Sequence, residues 1–161
     1  VLVPEQQLAE NAYVIEVPEA TGLAAAAPED TGPEPILALL GSADVAAGAK
    51  LAKKCTACHV FEAGGANKVG PALWNIVNQA KGSVDGFAYS SALAEFGGSW
   101  DYQSLNAFLA KPKAYISGTK MNFAGLKKPQ DRANMVAWLR TMADSEAPLP
   151  TAEDIAAESG S

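Results

Sequence analysis

The chain has 161 residues with 12 Lys and Arg, 18 Asp and Glu and a single His, for a formal charge of -6. That length sets one domain, and an acidic balance without a base-reading motif excludes nucleic acid as a partner. Two Cys and one His are too few ligands for a structural zinc site, and no run of about 18 apolar residues marks a membrane span.

From the start of the chain, Val1 to Gly41 carries Pro4, Pro18, Pro28, Pro33 and Pro35 and an alanine run from Ala24 to Ala27, with no Lys or Arg. All the acids before Lys50 are unmatched by any cation. Such composition reads as a solvated acidic linker over residues 1–41, except that the apolar run Ile36 to Leu40 is expected to dock on a core. Ser42 to Ala57 reads as a helix, with Ser42 as N-cap and an Ala/Leu/Lys body.

That segment runs into Cys55-Thr56-Ala57-Cys58-His59, and Cys-x-x-Cys-His is the attachment sequence of a c-type haem. On a helical turn, two thiols at this spacing can each form a thioether to a porphyrin vinyl group, and the next residue sits under the iron. A thioredoxin-like motif would need alternating strands and helices, which are not seen. His59 is the only His, so a bis-His centre is excluded, and the sixth position is left to Met, another weak donor or an open site.

Further along, short helices are expected over Ala72 to Asn78, Ser90 to Glu95 and Tyr102 to Ala110, the last with Leu105, Phe108 and Leu109 at helical spacing and Pro112 as its stop. Pro129 to Ala143 reads as the final helix, with Pro in its first turn. Met135, Trp138, Leu139 and Met142 repeat there at i, i+3, i+4 and i+7, a stripe facing a core. Met121 instead lies in Ile116 to Gly125, a glycine-punctuated loop that can carry a thioether across a haem face. Residues 144–161 read as an acidic C-terminal tail. The expected fold class is all-α, with short helices wrapped around one haem over residues 42–143.

Taken in order, Cys55-x-x-Cys58-His59, Gly70-Pro71, Gly86-Phe87-Ala88-Tyr89, Trp100, Lys111-Pro112 and Gly118-Thr119-Lys120-Met121, followed by an amphipathic helix, resemble a class I cytochrome c. The resemblance covers roughly Ser42 to Ala143 and extends, through the acidic N-terminal stretch, to the membrane-anchored bacterial type called cytochrome cy. It implies one haem c held by Cys55 and Cys58, His59 and Met121 as axial ligands, and Pro71 accepting through its carbonyl from the free His59 nitrogen. Tyr89 and Trp100 match positions that bind an inward haem propionate. Three departures stand out. Ser117 replaces the usual Pro before Gly118, Gln79 stands where many members carry Arg, and Ala52 stands where the first helix often carries an aromatic, a space Trp138 can fill.

The charge is unevenly placed. All 12 Lys and Arg lie between Lys50 and Arg140, where the acids are Glu62, Asp85, Glu95, Asp101 and Asp131. Lys54, Lys68, Lys111, Lys113, Lys120, Lys127 and Lys128 cluster around the haem motifs and are expected to ring the docking face. The resemblance implies a monomeric one-electron carrier of a respiratory chain, not an enzyme. Its implied partners are cytochrome c1 of a bc1-type complex and the copper-containing subunit of an aa3-type cytochrome c oxidase. The expected location is the periplasmic side of the bacterial inner membrane, with anchoring by an N-terminal segment absent from this chain. A haem peroxidase or a gas-sensing haem module, reached by loss of Met121 from the iron, is the alternative function.

Overall fold

The computed structural model describes residues 33–159, so most of the expected acidic linker, residues 1–32, lies outside the described residues. Seven helices are present among the described residues, α1 (Leu37–Leu40), α2 (Val45–Ala52), α3 (Ser91–Phe96), α4 (Tyr102–Ala110), α5 (Pro112–Tyr115), α6 (Pro129–Thr141) and α7 (Ala152–Ser159). The only β pairing there is an isolated antiparallel bridge, Ala80 to Ser99. The all-α expectation holds.

The expected helix from Ser42 to Ala57 is shorter at both ends. Asp44, not Ser42, is the N-cap: its backbone is extended and its carboxylate accepts from the Ala47 N–H at 3.0 Å. Ser42 and Ala43 are still closing the turn of α1, with N–H groups bonded to the Leu39 and Leu40 carbonyls at 3.3 Å. Beyond Ala52 the backbone passes into separate turns.

Ala72 to Asn78 forms no helix. Asn75 and Asn78 have φ of 65° and 67°, the left-handed region that interrupts an α-helix and that Asn tolerates better than most residues. The segment is tied instead to the end of α6. The Asn75 N–H bonds the Met142 carbonyl at 2.9 Å, and the Asn75 amide and Asp144 exchange a pair of hydrogen bonds, each 2.9 Å.

The later helices fall close to their expected places. Ser90 caps α3 by accepting from the Leu93 N–H at 3.1 Å, and Asp101 caps α4 by accepting from the Ser104 N–H at 2.8 Å. Lys111 leaves the helical region, and Pro112 then opens α5. The last long helix, α6, ends at Thr141.

The main helix crossing is α2 against α6. Gly48 makes it possible, since a Cβ there would collide with the Asn134 carbonyl and the Trp138 Cβ. Ala52 is buried at 2% exposure, while the Trp138 ring turns to Phe61, with centroids 4.7 Å apart and planes at 69°. The stripe expected on α6 is wider in the structure. Met135 and Leu139 are buried, but so are Arg132 and Asn134. The Asn134 side-chain oxygen accepts from the Asp44 N–H at 2.9 Å, which locks the start of α2 to α6.

Ile36, Leu37 and Leu40 are buried in the common core, as the apolar run foretold. The residues after 143 are more ordered than a solvated tail. They carry α7, whose Ile155 packs on the core and whose Glu158 carboxylate accepts from the Leu37 N–H at 2.9 Å.

Candidate functional site

The turns that follow α2 set the geometry of the Cys-x-x-Cys-His segment. The Cys55 N–H bonds the Ala52 carbonyl at 2.8 Å, and the Cys58 and His59 N–H groups both bond the Cys55 carbonyl, at 3.0 and 2.9 Å. One carbonyl therefore gathers Cys55, Cys58 and His59 onto a single turn. Both cysteines are free thiols and half-buried. Burial, reinforced by Cys58, pushes the Cys55 thiol pKa up against the opposing charge of Lys54.

His59 is fixed from the other side. Its Nδ1 lies 2.7 Å from the Pro71 carbonyl, which can only accept, so Nδ1 carries the proton and Nε2 keeps its lone pair for a metal. Burial pushes the imidazole pKa down; the Pro71 bond works against this and Lys68 adds to it. The neutral form that ligation requires is thus favoured. Gly70 presses its backbone on the ring, and a Cβ there would overlap the imidazole. The Gly70 N–H bonds the Cys58 carbonyl at 2.8 Å, which closes the loop on the attachment turn.

Met121 follows a turn in which Gly118 has φ of 94°. Thr119 is buried; its N–H bonds the Ile116 carbonyl at 3.1 Å and its hydroxyl oxygen accepts from the Met121 N–H at 3.4 Å. The Met121 side chain is half-buried and packs against the core. Met135 and Met142 belong to α6 and its C-cap and pack on the core, as their spacing indicated.

Tyr89 and Trp100 lie on the segments flanking α3. The Tyr89 hydroxyl oxygen accepts from the Val84 N–H at 3.0 Å, and its own hydrogen remains available to donate. Trp100 is 7% exposed, with its ring 5.0 Å from that of Phe108, and its Nε1 makes no hydrogen bond among the described residues. Gln79 carries a buried Oε1 with no partner among them. The Trp100 indole N–H can donate to a further polar group, as a haem carboxylate would be, and the Gln79 amide could do so only when turned over to present its nitrogen.

All seven candidate docking lysines, Lys54, Lys68, Lys111, Lys113, Lys120, Lys127 and Lys128, are exposed. Two are tied to the site's own loops. Lys68 Nζ donates to the Thr56 carbonyl at 2.7 Å, and Lys120 Nζ donates to the Ala88 carbonyl at 2.9 Å.

Among the described residues no group of three or more His, Cys, Asp or Glu could hold a bare metal ion. His59, with Nε2 free, could hold a metal that brings further ligands of its own, and the two thiols beside it would suit a covalent porphyrin. Such a turn, in an all-α fold of this topology, defines a class I c-type cytochrome carrying covalent haem c.

Comparison with known proteins agrees. The cytochrome c family model matches residues 45–143, and the chain belongs to the cytochrome c family. It is 44% identical over 148 residues to a cytochrome c homolog of Bradyrhizobium diazoefficiens, covering 84% of this chain and 80% of that protein. A cytochrome c homolog of Rickettsia felis is 40% identical over 138 residues, covering 86% of this chain and 79% of that protein. Among solved structures, cytochrome cH from Methylobacterium extorquens superposes with a TM-score of 0.57 at 42% identity, covering 61% of this chain and 98% of that one. The protein is an electron carrier and not an enzyme.

The sequence reading missed two polar centres, Lys81 and Arg132. Lys81 is 9% exposed and Arg132 is 1% exposed. No local pattern announces either, because Lys81 reaches Ser99 and Ser104, and Arg132 reaches Asn106 and Glu34, across distant segments of the chain.

Proposed function

We propose that this cytochrome is a respiratory shuttle, taking one electron from cytochrome c1 of a bc1-type quinol oxidase complex and passing it to the copper-containing subunit of an aa3-type cytochrome c oxidase. The axial ligands are His59 and Met121. The haem supplies the one-electron couple; the polypeptide attaches it, fixes its ligands and steers it. Pro71 and Gly70 hold the His59 imidazole as a neutral ligand with Nε2 free, and Thr119 holds the backbone of Met121.

The observation that supports the partner class is the placement of charge. Seven exposed lysines sit on a segment whose cations far outnumber its acids, and they steer the carrier toward acidic docking faces. A carrier that must leave after each electron is served by a small, weak, electrostatically guided contact. The test is the oxidation rate of the reduced, haem-loaded protein by membranes containing an aa3-type oxidase, across a salt series. Oxidation that is fast at low salt and slows as salt rises is expected; negligible oxidation at every salt would remove the respiratory assignment.

The ligand pair has its own test. Native ferric protein is expected to show a long-wavelength Met-to-iron charge-transfer band, and native ferrous protein to resist carbon monoxide. Ready carbon monoxide binding would favour a gas-binding or peroxidatic haem instead. We further place the protein at the periplasmic face of a bacterial inner membrane, tethered through a segment preceding Val1. A precursor with a cleavable signal and no apolar span of helical length would overturn the tether.

A further inference from the structure

Lys81 is buried, unlike the other nine lysines, all of which are exposed. Its Nζ donates to the Ser99 carbonyl at 3.0 Å and to Ser104 Oγ at 3.3 Å. The same nitrogen lies 5.1 Å from the ring centroid of Phe96, 5.2 Å from that of Trp100 and 5.7 Å from that of Tyr115. Tyr115 in turn donates to Ser104 Oγ at 3.1 Å. The cation thus sits in a cage built from α3, α4, α5 and the Ala80–Ser99 bridge. Among the described residues no carboxylate is within ion-pair distance of it.

Burying a charge is costly unless it is compensated. Three aromatic faces and two neutral oxygens recover part of that cost and leave the net positive charge in place. An uncompensated interior cation favours an anion, or an added electron, nearby. The surroundings point the same way. The isolated Ala80–Ser99 bridge sets Gln79 and Lys81, which flank Ala80, opposite Trp100 and Gly98. The hydrogen bonds of that bridge run from the Trp100 N–H to the Gln79 carbonyl at 2.8 Å and from the Lys81 N–H to the Gly98 carbonyl at 2.9 Å. The unmatched Gln79 Oε1 becomes a donor if the amide is turned over, since its oxygen and nitrogen are interchangeable in shape. The Lys81 cation and the Trp100 indole thus meet where Gln79 pairs with Trp100 through its backbone.

We infer that Lys81 is a fixed internal cation that raises the reduction potential of the haem and seats the Trp100 indole. The inference rests on the reading that places Trp100 at a haem propionate. Lys81 acts through Trp100 and through its charge, as a positioning residue. Reduction adds one negative charge to the centre, and a nearby cation stabilises that form. The interaction is shielded from solvent ions, which screen exposed charges but scarcely reach buried ones.

The test is redox titration of the haem-loaded protein in Lys81→Met, Lys81→Arg and Trp100→Phe forms at low and high salt. Met fills an aromatic cage without charge. In Lys81→Met the ratio of reduced to oxidised haem at fixed ambient potential should fall by about tenfold, or about 59 mV for a one-electron couple, and by the same factor at both salts. Lys81→Arg should keep the parent potential. An unchanged potential in Lys81→Met, or an equal fall in Lys81→Arg, would overturn the inference, even if stability changes. Trp100→Phe separates the two levels. A moved potential there with an unmoved one in Lys81→Met sinks only the Lys81 role, whereas no change in either removes the placement of Trp100 at the propionate as well. Should Lys81→Met fail to take up haem, Lys81→Gln, which keeps hydrogen bonding to Ser99 without charge, reads the same shift.

Discussion

At the scale of single residues, the site depends on small groups as much as on reactive ones. Gly70 has no side chain because the His59 imidazole occupies that space. Gly70→Ala is therefore expected to displace the ring, to cost about 1–3 kcal/mol by overpacking, and to lower the fraction of chains bearing covalent haem. Denaturant titration and the haem-to-protein absorbance ratio check both. The contact from His59 to Pro71 is to a main-chain carbonyl, so replacing the Pro71 side chain should disturb ligation less than replacing Gly70 does. On the proposed His59 and Met121 ligation, Met121→Ala is expected to abolish the long-wavelength charge-transfer band and to open the ferrous protein to carbon monoxide, which spectroscopy reads directly. Retention of the band would show that another group ligates the iron.

At the scale of elements, helix ends are where sequence pattern and structure part. Ser42 looked like the N-cap, but Asp44 holds that place because α1 uses Ser42 to close its own last turn. Asp44→Ala should cost about 1 kcal/mol, while Ser42→Ala should be near neutral; thermal unfolding of the two variants decides it. The α2–α6 crossing is tighter than any cap. Gly48→Leu would force the helices apart and is expected to prevent a native haem-bound fold. In the C-terminal segment, Thr151 and Asp154 form a reciprocal cap, with the Thr151 N–H bonded to Asp154 Oδ2 at 2.9 Å and the Asp154 N–H bonded to Thr151 Oγ1 at 3.1 Å. That Thr-x-x-Asp signal was present in the chain, and a reading of the tail by charge alone passed over it.

At the scale of the whole molecule, Arg132 ties the residues before α1 to α6. It is 1% exposed and donates to the Asn106 side-chain oxygen at 2.6 Å, to the Leu126 and Lys127 carbonyls at 2.8 Å each, and to Glu34 Oε1 at 2.9 Å. The Glu34 side chain is 64% exposed, so the ion pair itself is weak, and the value of Arg132 lies in serving the buried acceptors. Arg132→Ala is expected to cost about 3 kcal/mol or more by stranding them, whereas Glu34→Gln should cost under about 1 kcal/mol. Equal losses in the two variants would show that the charge pair dominates. Hydrogen bonding to its own backbone, then to Arg132, holds the Glu34 pKa below its ordinary value. The small stability this carboxylate contributes is therefore present above its unfolded-state pKa and is lost as pH falls through the lower, folded-state value. An acid titration of stability that is shallower in Glu34→Gln is the expected result.

The Cys55-x-x-Cys58-His59 haem c motif, the all-α class and the family could be read from the chain, because covalent spacing and motif order are local properties that folding does not alter. Helices α4 and α6 were also legible, since their apolar residues recur at helical spacing and Asp101 or Pro129 stands at the start. The missing helix at Ala72 to Asn78 was not, because the left-handed turn at Asn75 is held by Met142 and Asp144 nearly seventy positions away and the one at Asn78 by the Trp100 carbonyl. Nor could the chain alone separate Lys81 from the exposed lysines. A lysine is solvated by default, and only the meeting of Phe96, Trp100, Ser104 and Tyr115 around its ammonium makes burial affordable. The tertiary structure decides which charges lie outside, where they can steer a partner, and which one is kept within, because burial is a property of packed neighbours and not of any residue by itself.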